Sequence, residues 1–233
     1  MKRGFSLVEI SLVLVVIGLL TGGILAGQSL IQAAKFRGQL KDFSEIAAAH
    51  HAFSDKYKCI AGDCRDVASY FPAIANGNGD GLVDCWPGSG TNECGTYMLT
   101  LDSAGLLPRV QAEFSSAPEY RGGKLDRAVS YVHYGDRYAG GGYTPATLLG
   151  TGVAWINFIT FNSPWANGAV LRPEDAWNFD TKTDDGKPYT GKYLSAAGAI
   201  PAGTYRTDCI NNTTQEYILT TTDAACRSFI KIE

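Results

Sequence analysis

A long apolar segment without charged residues constrains what this chain can fold into. No Asp, Glu, Lys or Arg occurs in the 25 residues from Ile10 to Ala34. A helix that crosses a bilayer needs about 20 such residues, whereas the apolar part of a secretory signal has only about 7–15. Two basic residues, Lys2 and Arg3, precede the segment. We therefore expect a retained membrane-spanning helix. Lys2 and Arg3 favour a cytoplasmic N-terminus, but Lys35, Arg37 and Lys41 on the other side weaken that preference, so charge alone does not decide the orientation.

A single carboxylate, Glu9, stands immediately before this charge-free segment. Burial of a carboxylate in an apolar membrane helix is unfavourable unless the group is paired or protonated. Two interpretations follow. The side chain reaches water at the membrane surface, or it has a specific partner.

The residues around Glu9 form a distinctive pattern. The stretch Gly4-Phe5-Ser6-Leu7-Val8-Glu9 stands between a short basic leader and the apolar segment. This pattern resembles the N-terminus of type IV prepilins and pseudopilins over residues 1–35, and the resemblance is weak afterwards. It implies that a prepilin peptidase cleaves between Gly4 and Phe5 and that Phe5 is then N-methylated. It also implies that Glu9 acts in assembly, where it would pair with the Phe5 amine of a neighbouring subunit.

The helical pattern continues beyond the apolar segment, since no Pro occurs before Pro72. We predict one helix over residues 5–57, with residues 5–34 in the membrane or filament core and residues 35–57 amphipathic. The apolar face is expected to contain Phe36, Leu40, Phe43, Ala47, either His50 or Ile46, and Phe53 or Tyr57. The polar face is expected to contain Lys35, Arg37, Lys41, Asp42 and Glu45.

Six cysteines follow the helix, which suggests disulfides in a chain exported past the membrane. Proximity in sequence favours the pairs Cys59–Cys64, Cys85–Cys94 and Cys209–Cys226. The last of these resembles the C-terminal disulfide loop of many pilins.

Strands are predicted where β-branched and aromatic residues lie between turn residues. The predicted strands are Val129–Tyr134, Val153–Phe161, Tyr193–Ala196, Glu216–Thr221 and Ser228–Ile232. One short helix is predicted over Leu99–Leu107, and the rest of residues 58–100 as irregular. The expected fold is α+β: a long N-terminal helix packed on an antiparallel sheet with disulfide-stapled loops, similar to type IV pilins. We divide the chain into a leader (1–4), the helix (5–57) and a globular head (58–233).

Two acidic stretches of the sequence can each be interpreted either as a metal site or as a turn. The first resembles half of a calcium loop, because oxygen-bearing side chains recur at Asn76, Asn78, Asp80 and Asp84. Pro87 stands where such a loop has its bidentate Glu. The interpretations are a structural calcium site or a Gly-Asn turn cluster.

The second acidic stretch, Asp175–Pro188, contains an Asp-Asp-Gly sequence typical of turns. We interpret it as a solvated loop that orients one strand. In the alternative, Asp180, Asp184 and Asp185 hold a cation, with Lys182 as a local opposite charge.

Composition and motifs argue against two classes of function. The net charge of -3 argues against a general nucleic-acid binder. The sequence has no Gly-x-Ser-x-Gly, no P-loop and no His-Glu-x-x-His motif. The adjacent His50 and His51 do not share a helix face. We expect no catalysis, no nucleic-acid binding and no required cofactor.

The resemblance supplies the expected function. It implies a structural subunit of a bacterial type IV pilus-like filament, and the chain length favours a minor or specialised pilin. The alternatives are a pseudopilin of a type II secretion system and a membrane-anchored periplasmic hydrolase. Implied partners are other pilin subunits in a homo- or heteropolymer, prepilin peptidase, the inner-membrane assembly platform and the membrane itself. The head would lie in the periplasm before assembly, and in a cell-surface pilus or periplasmic pseudopilus afterwards.

Overall fold

A computed structural model describes residues 7–83, 93–107, 121–122, 128–134, 154–160, 168–198 and 206–232 of the chain. Its helices are α1 (Leu7–Tyr57), α2 (Val67–Tyr70), α3 (Glu93–Ser103) and α4 (Pro173–Thr183). Its strands are β1 (Arg121–Gly122), β2 (Ala128–Tyr134), β3 (Ala154–Thr160), β4 (Tyr193–Ala197), β5 (Ile210–Asn211), β6 (Glu216–Tyr217) and β7 (Cys226–Lys231). A long N-terminal apolar helix and a small antiparallel sheet with disulfides give an α+β layout.

The longest element is α1, a continuous helix of 51 residues. At about 1.5 Å per residue it extends about 76 Å. The helix stays unbroken because no Pro interrupts its backbone hydrogen bonds. It ends before Lys58, whose φ of 59° is the left-handed conformation that closes many helices.

The main sheet has five strands in the order β1-β2-β3-β7-β4, and every neighbouring pair is antiparallel. Four of the predicted strands correspond to β2, β3, β4 and β7. The predicted strand over residues 216–221 is wrong beyond Tyr217. Only Glu216–Tyr217 pairs, and its partner is β5 in a separate hairpin. The chain turns at residues 219–220 and so leaves the ladder.

Two helices occupy stretches for which the sequence analysis predicted irregular structure. The first part of the stretch interpreted as a solvated loop is α4, so that interpretation is wrong. The local signals for α4 are Pro173 at its first position, two acidic residues in its first turn and Lys182 in its last. The other helix, α3, begins at Glu93, six positions before the predicted start.

One hydrophobic core connects the second half of α1 to the sheet, α3 and α4. Phe43, Ile46 and Phe53 are buried, as predicted for the apolar face. Asp42 was assigned to the polar face, but it is only 3% exposed. The assignment is wrong because Asp42 lies three residues after the buried Gln39 and four before Ile46, on the same side of the helix.

Candidate functional site

The first half of α1 exposes apolar side chains around the helix in the single chain. Leu7 is 88% exposed, Leu19 is 73% exposed and Leu30 is 71% exposed. Soluble monomers rarely leave a contiguous apolar surface of this extent in water. By length and composition, α1 is able to cross a membrane. We call residues 7–34 the apolar half of α1 and residues 35–57 the packed half.

Glu9 lies in the first turn of α1 and is exposed. A negative side chain is favourable at this end of a helix, because the unpaired N–H groups there carry partial positive charge. Gly4 and Phe5, the predicted cleavage and methylation positions, lie outside the described residues. The pairing of Glu9 with an N-terminal amine therefore stays a prediction.

Four glycines leave gaps in the surface of the apolar half. A Cβ atom added at any of them would have no neighbour within 4 Å; they are Gly18, Gly22, Gly23 and Gly27. The first two are four residues apart, and so are the last two. Small residues at this spacing allow another helix to approach closely in a membrane.

A buried contact between His50 and Tyr97 joins the packed half of α1 to α3. The Nδ1 atom of His50 lies 2.7 Å from the Tyr97 hydroxyl oxygen. Burial, aided by the neighbouring His51, lowers the pKa of His50 to about 4. The ring is therefore neutral at neutral pH, and its role is to hold two helices together.

The turn after α1 is closed by a disulfide between Cys59 and Cys64, whose Cα atoms are 5.4 Å apart. Beside it, the buried carboxylate of Asp63 accepts hydrogen bonds of 2.6–3.1 Å from three backbone N–H groups of the 76–84 loop. The donors are Gly79, Asp80 and Gly81. Both glycines have φ values in the left-handed region, which lets successive N–H groups converge on one anion. Burial outweighs these bonds and raises the pKa of Asp63.

This arrangement bears on the calcium prediction for Asn76, Asn78, Asp80 and Asp84. The Oδ1 atoms of the first three accept bonds of 2.8–2.9 Å from the N–H groups of Ala68, Asp80 and Leu82 respectively. The described side-chain oxygens thus serve as turn acceptors, and the loop directs N–H groups at a carboxylate. Asp84 lies outside the described residues. Within the described part, these contacts are those of the turn interpretation, and the calcium site stays a prediction.

A buried hydrogen-bond network lies where α4, β4, β7 and the 209–226 disulfide loop meet. Its members are Asp180, Tyr193, Ser195, Tyr217 and Ser228, all of them buried. The Tyr217 hydroxyl donates to Asp180 Oδ2 at 2.7 Å and lies 3.0 Å from Ser195 Oγ. Ser195 Oγ lies 3.1 Å from Ser228 Oγ, to which the Tyr193 hydroxyl donates at 2.7 Å.

The two tyrosines of the network keep their protons, and the carboxyl of Asp180 has a raised pKa. Burial raises the pKa of Asp180 to about 6, although Tyr217 and Gly186 both donate hydrogen bonds to its carboxylate. Burial also raises the pKa of Tyr193 and of Tyr217, so both hydroxyls stay protonated. Among the side chains that the structure describes, no histidine contacts either serine of the network. The network therefore acts as a clamp between the disulfide loop and the sheet.

The sequence analysis gave a cation site at three carboxylates as the alternative for the second acidic stretch. In the structure these three carboxylates lie close together. Ligand oxygens of Asp180, Asp184 and Asp185 are within 4.8 Å of one another. Each carboxylate already accepts hydrogen bonds from the chain. Asp184 accepts from the N–H groups of Lys192 and Tyr193. Asp185 accepts from the Lys187 N–H and the Thr190 hydroxyl. These bonds shape the connection between α4 and β4.

The second described disulfide joins Cys209 to Cys226, with Cα atoms 5.1 Å apart. It closes the loop that contains the β5–β6 hairpin. An open groove of about 600 Å³ separates this hairpin from the α4–β4 connection, and its walls include Trp177, Tyr189 and Leu219. Cys85 of the predicted pair Cys85–Cys94 lies outside the described residues, so this pair stays a prediction.

The sequence analysis did not predict the hydrogen-bond network around Asp180. The sequence does, however, contain a pattern that indicates the burial of Asp180. Once Pro173 is taken as the start of a helix, Ala176, Phe179 and Asp180 fall on one face at spacings of three and four. Two of these residues are apolar, so the face is predicted to be buried. The partners Ser195 and Tyr217 come from distant elements, and no local pattern indicates them.

Comparison with known proteins gives no further assignment. No protein-family model matches the chain, and neither the curated proteins nor the solved structures include a significant match. The interpretation of function therefore depends on the residues and on the geometry described above.

Proposed function

We propose that this chain is a structural subunit of a bacterial type IV pilus-like filament. It is made as a prepilin, and it assembles through the apolar half of α1. The observation that carries this proposal is the division of one unbroken helix into an exposed apolar half and a half packed on the head. The Gly4–Glu9 pattern, which runs into the first turn of that helix, supports the same proposal.

The division suits a subunit that moves from a membrane to a filament. Before assembly, lipid covers the apolar half and the head remains outside the bilayer. Cleavage after Gly4 removes Lys2 and Arg3 and leaves a free amine on Phe5. In the filament, the same apolar surface packs against neighbouring helices, so it is never transferred to water.

Glu9 sets the axial position of each subunit in this proposal. Its carboxylate pairs with the Phe5 amine of a neighbour, and the pair offsets the cost of removing both charges from water. The Glu9→Leu variant should insert into the membrane normally but fail to enter filaments. Glu45→Leu makes the same change in the packed half and should leave incorporation unchanged.

The deciding measurement is quantitative mass spectrometry of sheared surface filaments and of washed envelopes. A methylated Phe5 peptide enriched in the filaments supports a pilus subunit, and its ratio to other pilins distinguishes a major from a minor one. The same peptide confined to the envelope would instead indicate a secretion pseudopilin. An intact Met1 peptide in both fractions, or normal assembly of Glu9→Leu, would overturn the proposal.

A further inference from the structure

A small cleft lies between α1 and α4, where the apolar half of α1 gives way to the packed half. Its volume is about 140 Å³. Phe36, Leu40 and Phe179 form apolar walls, and the rings of Phe36 and Phe179 meet edge to face at 4.4 Å. Arg37 and Lys182 also line the cleft. An apolar cavity with two cationic side chains beside it is suited to an amphipathic anion.

The two cations come from different elements, and both are exposed. Neither Arg37 nor Lys182 forms an ion pair with another residue in the described parts of the chain. Because both positive charges line the same cleft, an anion that enters the cleft is attracted to both. A phosphate group satisfies both, and a guanidinium binds phosphate with two parallel hydrogen bonds.

The height of the cleft along α1 indicates where the anion comes from. Arg37 follows the last residue of the charge-free segment, Ala34, by three positions, or about 4.5 Å of helix rise. The charge-free segment itself is about 37 Å long, slightly more than the roughly 30 Å hydrocarbon core of a bilayer. In an inserted chain the cleft therefore lies at the level of the lipid headgroups.

We propose that this cleft binds one anionic phospholipid of the membrane that holds α1. The phosphate lies between Arg37 and Lys182, and the glycerol and the top of one acyl chain contact Phe36, Leu40 and Phe179. This inference rests on the membrane insertion in the proposed function. The lipid fastens α4, and with it the head, to the membrane surface, and it must leave when the subunit enters a filament.

The test uses the full chain purified in detergent with phosphatidylglycerol or with phosphatidylcholine of the same acyl chains. Native mass spectrometry counts the lipid that each sample retains. We expect retention of phosphatidylglycerol over phosphatidylcholine, and about a tenfold weaker retention in the double variant Arg37→Ala/Lys182→Ala. The control variant Lys56→Ala/Lys187→Ala removes two exposed cations that do not line the cleft, and it should retain lipid like the unaltered chain.

Three results would overturn the proposal. They are equal retention of the two lipids, an equal loss in the control variant, or normal retention by a cleft variant that no longer enters filaments. The last result would place the two cations against a neighbouring subunit. The single variants Arg37→Gln and Lys182→Gln keep the test valid if the double variant folds poorly. A chain that does not fractionate with membranes would refute the proposed function instead, before any lipid is counted.

Discussion

The two halves of α1 share one backbone conformation and have opposite surroundings. Leu12 in the apolar half is 66% exposed, whereas Ile46 in the packed half is fully buried. One helix is thus continuous through two environments. The stability of the head depends on the packed half, and in the proposed function insertion and assembly depend on the apolar half. A change in one half should therefore leave the property of the other half intact.

The largest expected effect comes from a cavity in the packed half. Phe53 is 1% exposed, and its ring lies 4.5 Å from that of Tyr57. Phe53→Ala should lower the free energy of unfolding of the head by about 3–5 kcal/mol. Urea unfolding of the full chain in detergent measures this loss. Leu14→Ala removes a side chain that is 64% exposed, and it should leave the unfolding midpoint unchanged. Equal losses in the two variants would break the comparison.

A charge in the apolar half should have the converse effect. Leu20 is 60% exposed and lies near the middle of the charge-free segment. Leu20→Arg should raise the cost of membrane insertion by about 3 kcal/mol, because an arginine at the centre of a membrane helix loses its hydration. Alkaline extraction of membranes measures the fraction that stays inserted. Ser44→Arg adds the same charge at an exposed position of the packed half, and this variant should resist extraction.

Two buried groups predict a smaller and pH-dependent effect confined to the head. The pKa of Asp180 is raised from 3.8 to about 6, so its stabilising contribution is complete below pH 3.8 and is lost as pH rises through 6. The pKa of His50 is lowered from 6.5 to about 4, so its contribution is complete above pH 6.5 and is lost as pH falls through 4. Between about pH 4 and pH 6, a rise in pH therefore removes the stabilising contribution of Asp180 and restores that of His50.

Single substitutions should separate the two trends. In Asp180→Asn the stability of the head should rise by about 2 kcal/mol between pH 4 and pH 6.5, because His50 is then the one of these two groups that still titrates. In His50→Gln it should fall by a similar amount over the same range. Urea unfolding as a function of pH measures both slopes. Parallel slopes in the two variants would contradict these assignments.

The course of α1 could be predicted because its signals are local. The charge-free segment, the absence of Pro and the spacing of Phe36, Phe43 and Phe53 all lie within one stretch of sequence. The boundary at Tyr57 follows from the same information. Asp42 was assigned to the wrong face because its charge was taken as a sign of exposure, whereas its spacing from Gln39 and Ile46 places it on the buried side.

The clamp around Asp180 could not be predicted because its members are distant in sequence. Tyr217 donates to a residue 37 positions earlier, and Tyr193 donates to one 35 positions later. Which strands lie side by side decides these contacts, and neither propensity nor periodicity specifies strand order. The helix α4 was also not predicted, but for a different reason. Its proline and the acidic residues of its first turn are visible in the sequence, and they were interpreted as a loop.

The place of β7 in the sheet has a consequence for the timing of folding. This strand follows β3 and β4 in the chain but lies between them. Until residues 226–231 have been synthesised, β3 and β4 each have an unpaired edge and Cys209 has no disulfide partner. The apolar half of α1, by contrast, is synthesised first and needs no later part of the chain to form its helix. A chain interrupted before Cys226 would thus have its N-terminal helix, an open sheet and an unpaired thiol at Cys209.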